Sequence, residues 1–323
     1  MVTGTLLASC LNYDPGQNNV PAIIFPHPLL LSVLTASSKN LLSEKKSIRI
    51  FFSSGGDINQ GERPMQHIFF PQKAYKNLEF LSSEEARILR ILSEYLEPLT
   101  RLAKQKVHTT ILFLGSARID PEDKSHPLYR YYWEAEELAY RLARWAIKLK
   151  PKGKNFVICT GGGPGIMEAA NRGAQRAEGK SIGMNISLPH EQFPNTYISP
   201  ELSFVFHYFF MRKFWLSYPA KAVVAFPGGF GTLDELFELL TLVQTEKINQ
   251  NDLIILLYGE DYWRKIINFD ELVKNKTISP EDLKIFTYKS TPESAFRFLK
   301  GRLQRFLTPA NKIQSNFPPL ISP

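Results

Sequence analysis

Two glycine-rich loops, each placed directly after a short apolar run, constrain this chain more than any other feature. The first is Thr160-Gly161-Gly162-Gly163-Pro164-Gly165-Ile166-Met167-Glu168, after the run Phe156 to Thr160. The second is Pro227-Gly228-Gly229-Phe230-Gly231-Thr232-Leu233-Asp234-Glu235, after Ala222 to Phe226, and it opens a helical stretch. Glycines let a backbone approach a ligand closely, and the unsatisfied N–H groups of a helix start favour an anion. Neither loop fits the common nucleotide fingerprints. A dinucleotide motif needs a sixth-position glycine, but Ile166 and Asp234 stand there. Neither turn itself closes on a Gly-Lys-Ser/Thr triplet, so neither is an NTPase-type phosphate loop.

Around these loops, short apolar runs alternate with helical stretches. Strands are expected over Val107 to Leu114, Phe156 to Thr160, Ser181 to Leu188, Ser203 to Tyr208, Ala222 to Phe226, Leu253 to Tyr258 and Ile285 to Tyr288. Helices are expected over Pro127 to Lys150, Gly165 to Glu178, from Phe210, Thr232 to Thr245, Tyr262 to Asn268 and Pro292 to Leu307. Upstream, Ser82-Ser83-Glu84-Glu85 offers a capping box before an amphipathic run through Arg101. This pattern is that of an α/β protein: a Rossmann-like, doubly wound parallel sheet with helices on both faces. In such sheets ligands bind at the carboxyl ends of the strands, where both loops fall.

The domain boundaries follow from where the pattern starts and stops. Residues 65–106 read as a helical segment packing on the core, 107–307 as the Rossmann-like domain, and 308–323 as a loose Pro-rich tail. Residues 1–64 show no sustained period and five basic against four acidic residues. They read either as a flexible extension or as sequence upstream of a true start at Met65, and as neither signal nor transit peptide.

Composition narrows the function classes. Hydrophobic residues at 44% and charged residues at 22% suit a globular core rather than a disordered chain. The most apolar stretch, Val20 to Ala36, holds Pro21, Pro26, His27 and Pro28, so no membrane span is expected. Two cysteines, Cys10 and Cys159, have no paired spacing; a reducing, cytoplasmic setting is expected. The net charge of +8 suits an anionic ligand, and its scatter along the chain speaks against nucleic acid. His108, His190 and His207 have no metal-ligand spacing, and no metal or cofactor is implied.

The motif PGGFGTLDE fits the pattern P-G-G-x-G-T-x-x-E and stands with GGGPGIMEAANRGA and Met211-Arg212-Lys213. This set closely resembles the LOG ("LONELY GUY") family, from about Lys73 to Leu307. FLGSAR, LPHEQFPNTY and ELLTLVQT look like its longer bacterial-type branch. Family members are cytokinin riboside 5'-monophosphate phosphoribohydrolases, long labelled "lysine decarboxylase-like". That label lacks chemical support here, because no residue is marked as a Schiff-base lysine with a pyridinium partner. The superfamily also includes AMP nucleosidases and a molybdenum-cofactor carrier.

The resemblance implies cleavage of the N-glycosidic bond of a nucleoside 5'-monophosphate, with a homodimer or higher homo-oligomer as the assembly. It implies Arg212 and Glu235 as catalytic residues and Lys213 as a substrate ligand. Gly228, Gly229, Gly231 and Thr232 are expected to hold the phosphate, and Gly162 and Gly163 to contact substrate. Glu191 corresponds to a family substrate-binding glutamate, though its spacing to Arg212 differs from the short plant enzymes. Glu168 reads as a second carboxylate or as an ordinary first-turn glutamate. Ser116 and Arg118 are expected to reach the ligand, Arg118 being equally suited to a structural ion pair. Thr241 is expected to line the base or sugar pocket. The alternative function is a nucleotide or molybdenum-cofactor carrier without turnover.

Overall fold

A computed structural model of the chain describes residues 22–25, 49–52, 71–149, 156–188 and 193–307. The chain divides into two units, 1–77 and 78–323. In the first unit, Ala22–Phe25 and Arg49–Phe52 form a parallel pair, and Ala74–Lys76 makes one 3-10 turn. The remainder of the expected 1–64 extension and the 308–323 tail lie outside the described residues.

The second unit opens with helices α1 (Leu78–Ser82) and α2 (Arg87–Lys104). The capping box expected at Ser82 to Glu85 does not form. Those residues end α1 and turn into α2, whose cap residue Ala86 supplies no side-chain bond. The Arg90 guanidinium instead donates to the carbonyls of Leu81 and Ser83, satisfying the end of α1.

The strands are β1 (Thr110–Leu114), β2 (Val157–Thr160), β3 (Ser181–Ile186), β4 (Ser203–Phe206), β5 (Ala220–Ala225), β6 (Ile254–Tyr258) and β7 (Phe286–Lys289). They form one parallel sheet in the order β4-β3-β2-β1-β5-β6-β7. The order reverses between β1 and β5, which makes that pair the topological switch point. The helices between and after them are α3 (Tyr129–Ile147), α4 (Ile166–Arg176), α5 (Phe209–Ser217), α6 (Phe230–Gln244), α7 (Glu260–Ile266), α8 (Phe269–Lys274) and α9 (Pro292–Leu303). The sequence pattern did not separate α8, whose six residues are too short for a helical period to register.

Side chains on these central strands are buried on both sides, so the strands read as continuous apolar runs. Ile111, Phe113, Ala222, Val224, Ile254 and Leu256 pack beneath α3, α4 and α9. Their neighbours Leu112, Leu114, Val223, Ala225, Ile255 and Leu257 pack on the opposite face, with α2, α5, α6, α7 and α8. That period-two division is the doubly wound α/β arrangement. No helix among the described residues is long and apolar enough to cross a membrane.

Helices α3 and α4 lie close enough that Gly173 leaves no room for a side chain. A Cβ there would stand 2.2 Å from the Glu136 carbonyl oxygen and 2.9 Å from the Tyr140 nitrogen. Both are backbone atoms of α3, so one helix must move. Gly173→Ala is expected to destabilise the protein by about 2 kcal/mol in urea unfolding. Gly301→Ala on α9 is the comparison: its Cβ meets nothing within 4 Å. That change should be neutral, or stabilising by up to about 1 kcal/mol through helix propensity.

Candidate active site

Arg212 lies in the first turn of α5, buried to 8% exposure. Its guanidinium joins three elements. Nε donates to the Met184 carbonyl on β3 at 2.7 Å, and Nη1 donates to Glu235 Oε1 on α6 at 2.6 Å. Nη2 lies against Gly161, where a Cβ would come within 2.3 Å of it. The first glycine loop therefore makes room for this arginine, a role its composition alone did not reveal.

Glu235 is one helical turn beyond Thr232, about 4.5 Å along the axis. Side chains on a helix lean toward its N-terminus, so the carboxylate leans back toward the start of α6. Burial pushes the Glu235 carboxyl above its ordinary value, and Arg212 opposes that shift. Beneath the pair, burial holds the Cys159 thiol up at about 12, so it is no nucleophile at neutral pH.

The second glycine loop is clamped from behind and open in front. The Ser116 N–H donates to the Pro227 carbonyl at 3.0 Å, and the Tyr262 hydroxyl donates to the Gly228 carbonyl at 2.8 Å. The place of a Cβ on Gly228 is filled by Thr232 Oγ1, 2.1 Å away. Gly229 and Gly231 differ: a Cβ on either would meet nothing within 4 Å. The first N–H to bond back within α6 is that of Leu233, to the Gly229 carbonyl at 3.0 Å. The preceding N–H groups, residues 229–232, come before that first bond and lack intrahelical acceptors. Such a start is an anion cradle. Phe230, at its mouth, is 92% exposed, the highest value of any large apolar side chain among the described residues.

The first glycine loop is bound inward. The Gly162 N–H donates to Thr160 Oγ1 at 3.0 Å, and that hydroxyl donates to Asn171 Oδ1 at 2.7 Å. The Asn195 side chain donates to the carbonyls of Gly162 and Gly163 at 3.1 and 3.0 Å. Gly162 and Gly165 have φ of +79° and +69°, and a Cβ on Gly165 would stand 2.3 Å from the Ser116 carbonyl oxygen. The Ile166 N–H also donates to that oxygen, so Ser116 ties β1 to both loops through its backbone.

Other expected site residues are more dispersed. Lys213 Nζ bridges Asp234 and Glu238 on α6 at 3.0 and 2.8 Å. Glu168 accepts a 2.7 Å bond from the Tyr132 hydroxyl on α3. Arg118 is exposed and makes no ion pair among the described residues. Thr241 Oγ1 donates to the Phe237 carbonyl within its own helix, more than two turns beyond the cradle. Glu191 lies outside the described residues. Sequence reasoning missed Gly161, Met184, Asn195 and Tyr262. Gly161 and Met184 act through an absent side chain and a backbone carbonyl, while Asn195 and Tyr262 hold loop carbonyls with side chains that only the tertiary fold brings there. No three His, Cys, Asp or Glu side chains among the described residues are placed to hold a metal.

Residues 167–299 match the family described as "Possible lysine decarboxylase". A curated relative, "Probable cytokinin riboside 5'-monophosphate phosphoribohydrolase LOGL5" of Oryza sativa subsp. japonica, is 28% identical over 156 residues. That alignment covers 47% of this chain and 60% of the relative's length. The family match spans the PGGFGTLDE motif. Among solved structures, a Northeast Structural Genomics Consortium target is 22% identical with a TM-score of 0.41, covering 60% of this chain and 99% of its own. The molybdenum-cofactor carrier protein of Chlamydomonas reinhardtii is 18% identical with a TM-score of 0.40, covering 61% and 98%.

Removing one partner of a buried ion pair strands the other charge, whereas replacing both with apolar groups does not. Arg212→Ala is expected to cost about 3 kcal/mol at neutral pH by urea unfolding. Without Arg212 the Glu235 carboxyl titrates higher still, so the loss should shrink as pH falls and the group becomes neutral. The double variant Arg212→Met, Glu235→Leu should recover most of the stability.

Proposed function

We propose that this protein is a phosphoribohydrolase acting on nucleoside 5'-monophosphates, either cytokinin riboside monophosphates or AMP, and releasing free base and ribose 5-phosphate. The observation that carries the reading is the placement of the buried Arg212–Glu235 pair, 2.6 Å apart, one turn along the helix whose start forms the cradle. The family matches point the same way.

The chemistry follows from that placement. The N–H groups at the start of α6 hold the 5'-phosphate, and Gly229 and Gly231 leave space for it. Phosphate binding fixes the ribose, so its binding energy orients the reacting bond. As the bond from C1' to the base nitrogen breaks, the electron pair leaves with the base and C1' gains oxocarbenium character. The Glu235 carboxylate stabilises that positive carbon and takes a proton from the attacking water, whose oxygen bonds to C1'. The proton that Glu235 takes from water passes to the departing base, so one water is divided between sugar and base and the carboxylate is regenerated. Arg212 holds one Glu235 oxygen, keeping the carboxylate oriented. No step calls for a cofactor, and the cytoplasm is the compartment that suits such a substrate.

Base release from AMP and from isopentenyladenosine monophosphate tests this. Wild type should release base from at least one, and Glu235→Gln should lower the rate about 10²- to 10⁴-fold. Because burial raises the Glu235 carboxyl, the ionised, active form accumulates only above the ordinary glutamate range. The wild-type rate should therefore rise with pH through that elevated value, and Glu235→Gln should lack this limb. Tight nucleotide binding with no release from either substrate would favour a carrier instead.

We further propose a homodimer through α2, which exposes Leu89, Leu92 and Leu96 at 44%, 48% and 53%. These residues share one helical face. Glu94 ties α2 to the start of α5, where its carboxylate accepts the N–H groups of His207 and Tyr208 at 2.7 and 3.2 Å. Phe209 and Phe210 follow, 56% and 51% exposed. An apolar surface of this kind suits a second copy of the chain. Leu92→Glu should shift sedimentation from dimer to monomer; a wild type that sediments as a monomer would rule this face out.

A further inference from the structure

We propose that Tyr262 is a positioning residue for the anion cradle, setting which way the Gly228–Gly229 peptide faces. This rests on the reading that the cradle takes the substrate's 5'-phosphate.

A peptide between two glycines is easily turned over, because neither neighbour has a Cβ to resist the change in backbone angles. Its carbonyl and N–H point in opposite directions in the planar trans unit. Whatever holds the Gly228 carbonyl therefore also aims the Gly229 N–H. Here the Tyr262 hydroxyl holds that carbonyl at 2.8 Å, from α7, which belongs to a different crossover of the sheet. The Gly229 N–H is thereby directed away from α7. On the Gly228 side, Thr232 Oγ1 and the Ser116 nitrogen lie 2.1 and 3.0 Å from where a Cβ would be, so the loop cannot relax that way.

The tyrosine is itself anchored. Its ring packs edge-on against Trp263 at 5.4 Å, and the Trp263 indole donates to the carbonyls of Ala225 and Tyr258 at 3.0 Å. Those carbonyls close β5 and β6. The clamp thus refers the orientation of the cradle to the sheet rather than to the loop, and Tyr262 need not touch the substrate.

Tyr262→Phe removes one hydroxyl and keeps the ring packing. Ribose 5-phosphate binding by calorimetry should weaken about five- to tenfold in the variant. The KM for the nucleoside monophosphate should rise by the same factor, with kcat within about twofold of wild type and the thermal midpoint nearly unchanged. Turnover of the 5'-dephosphorylated nucleoside should not respond. Unchanged ribose 5-phosphate affinity in the variant would overturn the proposal, as would an equal loss on the dephosphorylated nucleoside, which marks a general structural role. A wild type that binds no ribose 5-phosphate would overturn the phosphate reading itself, and the inference with it, on a measurement independent of the variant.

Discussion

The buried contact between Arg212 and Glu235 is the constraint around which the rest of the site is organised. Taking both charges out of water is costly, and their attraction offsets that only when the remaining polar groups are also satisfied. The guanidinium carries five N–H donors to satisfy. It therefore needs the Met184 carbonyl on its Nε and the open flank of Gly161 beside Nη2. These demands tie β3, the first glycine loop, α5 and α6 together, and none can move alone without stranding a charge.

The two glycine loops resemble each other in composition and differ in what they do. In the first, polar groups turn inward to Thr160 and Asn195, and missing side chains admit Arg212 and the neighbouring backbone. In the second, the clamps lie behind the loop and its front faces open space. Glycine serves close packing in one case and ligand approach in the other. Ser116 couples them, its N–H bonded to Pro227 and its carbonyl to Ile166, at the switch between β1 and β5. The site is thus placed where adjacent connections depart to opposite faces of the sheet.

Much of the fold was legible along the chain because buried parallel strands are short continuous apolar runs, and Val223-Val224-Ala225 or Ile255-Leu256-Leu257 resemble little else. Helix ends were less legible. Ser82-Ser83-Glu84-Glu85 has the residues of a capping box, yet a guanidinium from the next helix took the carbonyls that decide the turn. In the site, Glu235 and the cradle could be named from the contiguous PGGFGTLDE motif, and Arg212 from the separate Met211-Arg212-Lys213 stretch, through the family resemblance. Lys213 could be named as well, but the acidic residues it bridges lie on α6, and only packing brings them near.

The sequence by itself determined the α/β class, the two strand-end loops and the helix start with its unsatisfied N–H groups, because these depend on residue types at short spacing. Tertiary structure alone decided which loop faces outward, that Gly161 serves an arginine 51 positions away, and that Glu235 is buried against that arginine. It also decided that a tyrosine from another crossover holds the cradle. The physical reason is the same in each case. Hydrogen-bond partners and the burial of charge are set by groups distant in sequence, which periodicity and motif spacing do not record.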